Sequence, residues 1–157
     1  MLNRSAGVVG AAINSDAYCG VICDGHHVAD EMLALAIRAR PVPDRMFLVS
    51  DAMPTVAGPD NFELYGQTLA LKNGKLVNSE GSLAGAHVTQ LQGVMRLVSH
   101  VGLSMVEALR MAVTIPAQVI GLSDLATLVG RDVTDVIVLG NDLSRLHPLP
   151  TPSALAS

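Results

Sequence analysis

Arg45-Met46-Phe47-Leu48-Val49-Ser50-Asp51-Ala52-Met53-Pro54 is the stretch that decides the fold. Met46 to Ser50 are apolar or nearly so, and the run stops on an acid followed by small residues and a proline. A short apolar run this dense predicts a strand buried on both faces, of the kind found in parallel sheets. Its carboxyl end would deliver Asp51 to the rim of the sheet, where α/β folds place their chemistry.

Working outward, Ala17 to Cys23 is a second β-rich run that stops at the turn signal Asp24-Gly25. Between the two runs, Val28 to Arg40 carries Asp30 and Glu31 early and Arg38 and Arg40 late, and is followed by Pro41 and Pro43. That charge order suits the helix dipole and the prolines stop the helix. Strand, helix and strand with a short return predict a βαβ unit with parallel strands and a right-handed crossover.

On the amino-terminal side, residues up to Asp16 read as a loop leading into a short irregular or helical piece. After Asp51 a Pro/Gly-rich loop runs to Asn61. Phe62–Tyr65, Thr68–Lys72 and Lys75–Asn78 then surround Asn73-Gly74, the dipeptide favoured by a type I′ turn, so an inserted β-hairpin is expected over about 62–78. The loop Gly81-Ser82-Leu83-Ala84-Gly85-Ala86 offers backbone N–H groups with little side-chain bulk. A helix over about Val88 to Val101, closed by Gly102, places Leu91, Val94, Met95 and Val98 on one face. Ser104 to Glu107 has a capping-box pattern that opens a helix to about Val113, and a separate short helix with Pro116 in its first turn would stop at Gly121. Val133 to Leu139 reads as a last strand, and Leu146 to Ser157 as a mobile Pro/Ser/Ala tail.

Composition narrows the function classes. The 157 residues suffice for one domain with a sizeable core, and with half of them hydrophobic and 15% charged the bulk should be ordered. The net charge of −4 and the scattered Lys and Arg argue against nucleic acid or an anionic membrane as partner, since counterion release needs a concentrated basic surface. Aromatics are few, so stacking platforms for bases or sugars are poorly supplied. With no signal-like or membrane-spanning run, a soluble cytoplasmic protein is expected. Cys19 and Cys23 would lie roughly 13 Å apart along one strand, beyond disulfide reach, and are expected to be buried reduced thiols.

Three polar groups fall at carboxyl ends of elements: Asp24 with His26 and His27 after the first strand, and Asp51 after the second. Neighbouring parallel strands bring such ends within roughly 5–10 Å, close enough for an acid/base pair or shared metal ligands. The alternative is purely structural, with Asp24-Gly25 a turn and the histidines capping the following helix. The five histidines form no His-x-His or His-Glu-x-x-His pattern, and there is no Walker, Gly-x-Ser-x-Gly or dinucleotide motif. Of the remaining histidines, His87 lies in the Gly-rich loop and could approach the rim, His100 falls late in a helix, and His147 falls in the tail.

Five segments follow one another in the chain: Arg4 with Gly7-Val8-Val9-Gly10-Ala11, Cys23-Asp24-Gly25-His26-His27-Val28, Leu48-Val49-Ser50-Asp51-Ala52-Met53, Gly81-Ser82-Leu83-Ala84-Gly85, and Glu107 to Ala112 with Ile115-Pro116-Ala117. In this order, over about residues 4 to 140, they resemble the N-acetylglucosamine-6-phosphate deacetylases of the amidohydrolase superfamily. The resemblance implies a metal-dependent hydrolase on a (β/α)8 TIM barrel with a small β-sandwich domain. Asp51 matches the general acid/base that takes a proton from metal-bound water and returns one to the amine leaving group, a role worth roughly 10²–10⁴ in rate. Arg4 matches an arginine that binds the substrate phosphate, His27 a histidine on the sugar with Asp24 and Gly25 shaping its loop, and Leu83, Ala84 and Gly85 a loop that meets substrate through its backbone.

The family holds its divalent metal, zinc or similar, with a Glu and two His on earlier strands, one of them in a His-x-x-Asn-Ala-Met segment just ahead of the arginine. No such segment precedes Arg4. A complete barrel takes about 250 residues, so this sequence is expected to supply only its last two strands. The α/β expectation is therefore a partial barrel over 1–125, a strand of the small β domain within 126–145, and the tail over 146–157. Such a chain is expected to bind no metal by itself, to be inactive alone, and to self-associate as a homo-oligomer through uncovered edges. An amino-sugar phosphate is the implied substrate. The functions left open are the carboxyl-terminal portion of a deacetylase, an active hydrolase completed by another chain, and a non-enzymatic sugar-phosphate-binding or oligomerisation module.

Overall fold

The computed structural model describes residues 4–143 and, for the backbone, 146–147. The βαβ unit is present: β1 (Cys19–Ile22) and β2 (Met46–Val49) pair in parallel, Cys19 opposite Met46 and Ile22 opposite Val49, with α2 (Asp30–Ala39) between them. Ahead of it, α1 (Gly7–Ile13) is the helical piece that precedes β1. Arg40, just past α2, ties these parts together. Its guanidinium donates to the carbonyls of Ala12 (2.8 Å) and Ser15 (3.2 Å) and approaches the Cys19 sulfur at 3.2 Å, so a cation sits at the carboxyl end of α1 where the dipole favours one. Cys19 and Cys23 are both free thiols; Cys23 is buried and Cys19 only half-buried.

Leu48 is the pivot of the core. It is buried with Cys23, Leu33, Val94, Leu97 and Met111, so α2 and the later helices pack into one core on the face of β2 that carries Met46 and Leu48, while Phe47 and Val49 on the other face are half-buried rather than buried as expected. Gly93 permits that packing, because a Cβ there would lie 3.0 Å from a Leu48 methyl. Among the described residues β2 has β1 as its one strand neighbour. On its other side the Gln90 amide donates to the Leu48 carbonyl at 3.0 Å.

Beyond Asp51 the expected hairpin is a three-stranded antiparallel meander, β3 (Asn61–Leu64), β4 (Gln67–Lys72) and β5 (Lys75–Val77). Asn73-Gly74 makes the predicted turn, with both φ angles positive. Tyr65-Gly66 makes a second one of the same kind, which the sequence does not announce because tyrosine is not a turn residue.

Helix α3 (Gln90–Arg96) opens with a capping box, in which the Thr89 hydroxyl accepts from the Gln92 N–H and the Gln92 side chain accepts from the Thr89 N–H. It continues as a π turn over Leu97–Val101 and ends at Gly102, φ +84. The two helices expected on either side of Thr114 are one continuous rod: α4 (Met105–Leu109), a π turn over Arg110–Thr114, and α5 (Ile115–Val119). Pro116 explains the difference. Its ring would crowd the Ala112 carbonyl in a regular α-helix, and the wider turn, in which the Ile115 N–H reaches Arg110, lets the proline pass without breaking the rod. Gly121, φ +73, ends α5, with its own N–H on Gln118 and that of Leu122 on Ala117.

The expected strand over Val133–Leu139 is shorter. Asp132 accepts from the Thr134 N–H and hydroxyl and turns Val133–Asp135 into a 3₁₀ helix, leaving β6 (Val138–Leu139) to pair antiparallel with β7 (Leu146–His147). The tail was expected from Leu146. Its first two residues are thus a strand, and the remainder lies outside the described residues. The molecule is a mixed α/β structure with parallel and antiparallel sheets, and among the described residues no helix is long and apolar enough to cross a membrane.

Candidate functional site

The parallel register fixes the rim. The last paired residues are Ile22 and Val49, so Asp24 and Asp51 each stand two residues beyond the same rung. Their surroundings differ. Asp24 has only 6% of its side chain exposed, and one carboxylate oxygen accepts from the N–H groups of His26 and His27, both at 2.9 Å. The other oxygen lies 2.8 Å from His27 Nδ1. Burial alone would raise the Asp24 pKa, but the His27 and His26 backbone bonds and the His27 ring outweigh it and hold the carboxyl below its ordinary range. A carboxylate here makes His27 Nδ1 the donor and leaves Nε2 for another partner. Asp24 is thus the turn residue of the structural reading and also the group that orients His27.

Gly25, φ +78, lets the Arg96 guanidinium pass over it. Arg96 reaches across to Asp30 in a bidentate pair, Nε at 2.8 Å and a terminal nitrogen at 2.7 Å, which pins α3 to the start of α2. Hydrogen bonding to Asp30 raises the Arg96 pKa further above its ordinary value. Burial, with Asp30 adding to it, pushes the Cys23 thiol up to about 11, so it stays protonated and is a poor nucleophile or metal ligand at neutral pH. Asp24, Cys23, Arg96, His26, His87 and His100 share a cleft of about 320 Å³ with the Asn73-Gly74 turn at its edge. His87 Nδ1 lies 3.0 Å from the hydroxyl of buried Thr55, and His100, exposed, has Nδ1 2.7 Å from Ser99 Oγ.

Asp51 faces a second cleft. It is exposed, with φ +51, a backbone form that Asp adopts more readily than bulkier residues. Its carbonyl accepts from the Ala86 N–H at 2.9 Å and the Met53 N–H donates to the Ala86 carbonyl at 3.1 Å, so the Gly-rich loop is stitched alongside the end of β2. Gly85, φ +91, is required by this closeness, since a Cβ there would stand 2.4 Å from the Met53 side chain. The cleft, about 370 Å³, is lined by Asp51, Met53, Ala84 and Gly85 together with Leu64, Tyr65, Gln67 and Leu69 of the meander.

The structure thus brings Asp51 together with Ala84 and Gly85. Asp24 and His27 form their own pair at the neighbouring strand end, while Arg4 and Leu83 are exposed and line neither cleft. The Ala84 N–H is already taken by the Leu76 carbonyl at 3.1 Å. Arg96, Met53 and Tyr65 were not singled out from the sequence; the turn glycines 25 and 85 were the signal that something passes close. Among the described residues no group of three His, Cys, Asp or Glu side chains could hold a metal ion, so the residues present do not fit a catalytic divalent ion by themselves.

The rim thus carries a carboxylate beside a glycine-rich loop, next to a His–Asp pair on the neighbouring strand of an α/β fold. The comparisons with known proteins narrow this. No protein-family model matches the chain. It is 31% identical over 124 residues to the N-acetylglucosamine-6-phosphate deacetylase of Haemophilus influenzae, covering 77% of this chain and 32% of that protein. It is 30% identical over 122 residues to a putative N-acetylgalactosamine-6-phosphate deacetylase of Escherichia coli K12, covering 76% of this chain and 72% of that one. The crystal structure of the N-acetylglucosamine-6-phosphate deacetylase of Pasteurella multocida superimposes with a TM-score of 0.82 at 33% identity, covering 90% of this chain and 38% of that one. The chain belongs to the family of amino-sugar-phosphate deacetylases that contains these proteins. It spans about a third of the length of the Haemophilus relative and of a Vibrio furnissii relative, 32% and 36%.

Proposed function

We propose that the chain is the carboxyl-terminal portion of a deacetylase that converts N-acetylglucosamine 6-phosphate to glucosamine 6-phosphate and acetate. Residues 1–125 supply the last two strands of a TIM barrel, and 126–145 a strand of a small β-sandwich domain. The observation that carries this is the shared rung, which sets Asp24 and Asp51 at the same rim with the Gly-rich loop bound to the end of β2.

Asp51 is the proton carrier: it accepts a proton from the attacking water and delivers one to the departing amine. Its exposure leaves the carboxylate free for that exchange. His27, its ring fixed through Nδ1, offers Nε2 to a sugar hydroxyl or phosphate oxygen, and Arg4 supplies the planar cation for the phosphate. Ala84 and Gly85 of the Gly-rich loop lie in the Asp51 cleft and would meet the substrate there through their backbone, with Leu83 as the neighbouring residue of the same loop. A divalent metal, zinc or similar, belongs to this reading of the family. Among the described residues no group of three His, Cys, Asp or Glu side chains assembles its ligand set.

The test combines binding and turnover. The chain should bind N-acetylglucosamine 6-phosphate with Arg4→Ala weakening it, and release acetate only when mixed with the complementary portion of a relative and added zinc, in an Asp51-dependent way. Acetate release that is indifferent to Asp51→Asn would overturn the proton-carrier role. Arg4-dependent binding with no turnover in any mixture would identify a sugar-phosphate-binding module instead.

A further inference from the structure

The meander contains two turns of one kind. Asn73-Gly74, with φ +52 and +77, uses the residues such a turn prefers, whereas Tyr65-Gly66, with φ +50 and +75, puts an aromatic where Asn, Asp or Gly belongs. A bulky residue at positive φ is an outlier, and residues held this way cluster at sites of function. Tyr65 is also 97% exposed, so the conformation brings it no burial in return. What it does obtain is position: it lines the cleft that also holds Asp51, Ala84 and Gly85.

We propose that Tyr65 is a positioning residue of the Asp51 cleft, its ring covering the apolar face of a pyranose whose amide lies at Asp51. This rests on the deacetylase reading and extends it to a residue outside the family motifs. A sugar ring has one face of C–H groups and a rim of hydroxyls. The cleft matches this with Leu64, Leu69 and Tyr65 from the meander, Gln67 among them, and the Asp51 carboxylate and the loop residues Ala84 and Gly85 in the same cleft.

The chain carries no Trp and two Tyr, so a Tyr18→Phe background makes Tyr65 the one fluorescent reporter. Titration with N-acetylglucosamine 6-phosphate should change Tyr65 emission saturably, at the concentrations where calorimetry detects binding, and inorganic phosphate should leave it unchanged. Tyr65→Phe should keep affinity within about twofold, and Tyr65→Ala should weaken it by about five- to tenfold. Tyr65→Asn should weaken it equally while raising the melting temperature, because Asn suits the turn; a merely structural tyrosine would give the higher melting temperature and unaltered affinity. Calorimetric binding with unchanged emission, or with full affinity in Tyr65→Asn, overturns the inference and leaves the deacetylase reading standing. Absence of binding by the unsubstituted chain overturns both.

Discussion

Gly25 and Arg96 compete for one volume: a Cβ built on Gly25 would lie 2.3 Å from the guanidinium carbon of Arg96. Gly25→Ala should therefore do more than strain a positive φ. It should also dislodge the bidentate Arg96–Asp30 pair. A loss of about 2–4 kcal/mol in urea unfolding is expected, and in an Arg96→Ala background the same substitution should cost less, leaving the backbone part of about 1–2 kcal/mol. Equal costs in both backgrounds would show that the guanidinium does not occupy that space.

The Asp24 carboxyl has a folded pKa below its unfolded value of about 3.9, so its bonds to His26 and His27 stabilise the fold at pH values above that. The contribution is lost as pH falls through the folded pKa. Asp24→Asn should be less stable than wild type near pH 7, and the gap between the two should close on acidification below about pH 4. Chemical-denaturation curves at pH 7, 5 and 3 measure this; a gap that widens toward acid would contradict it.

Asp51→Asn should leave stability within about 0.5 kcal/mol, because the side chain is exposed and Asn tolerates the same positive φ. Acetate release by the complemented enzyme should fall by about 10²–10⁴-fold. The pairing of an unmoved melting curve with lost turnover separates a proton carrier from a fold determinant.

Thr89→Ala removes one half of the capping box at α3 and should cost about 1 kcal/mol, with faster amide exchange at Gln92. Gln92→Ala frees the Thr89 N–H, and the double substitution should cost less than the sum of the two, since the halves hold each other.

The parts legible in the sequence are those set by short-range patterns. The dense apolar run ending at Asp51, the charge order along α2 and the Asn73-Gly74 turn each specify their element within ten residues or so, and β1, α2 and β2 form as read. The single helical rod was not legible, because Pro116 reads as a break until the π turn at Arg110–Thr114 is seen to absorb it. Asp132 delays the start of the last predicted strand through a side-chain bond that hydrophobicity does not report. At the site, the rim position of Asp51 followed from strand logic, whereas Arg96 on Asp30, 66 residues away in sequence, and the Tyr65 wall depend on tertiary approach. The resemblance identified the family; the division of the rim into two clefts appeared only with the fold.

The Gln90 amide on the Leu48 carbonyl has a kinetic consequence. In the parallel ladder, the bond from the Cys19 N–H to Arg45 sets the phase, so Leu48 presents its N–H and C=O away from β1. A side chain from α3 occupies one of the acceptors that an incoming strand would use. Lengthening the sheet at β2, by any chain, is therefore a substitution reaction rather than a capture: the newcomer must evict a ligand already bound. Gln90 thereby satisfies within the chain one carbonyl of an otherwise open strand edge, which lessens what indiscriminate edge pairing could gain.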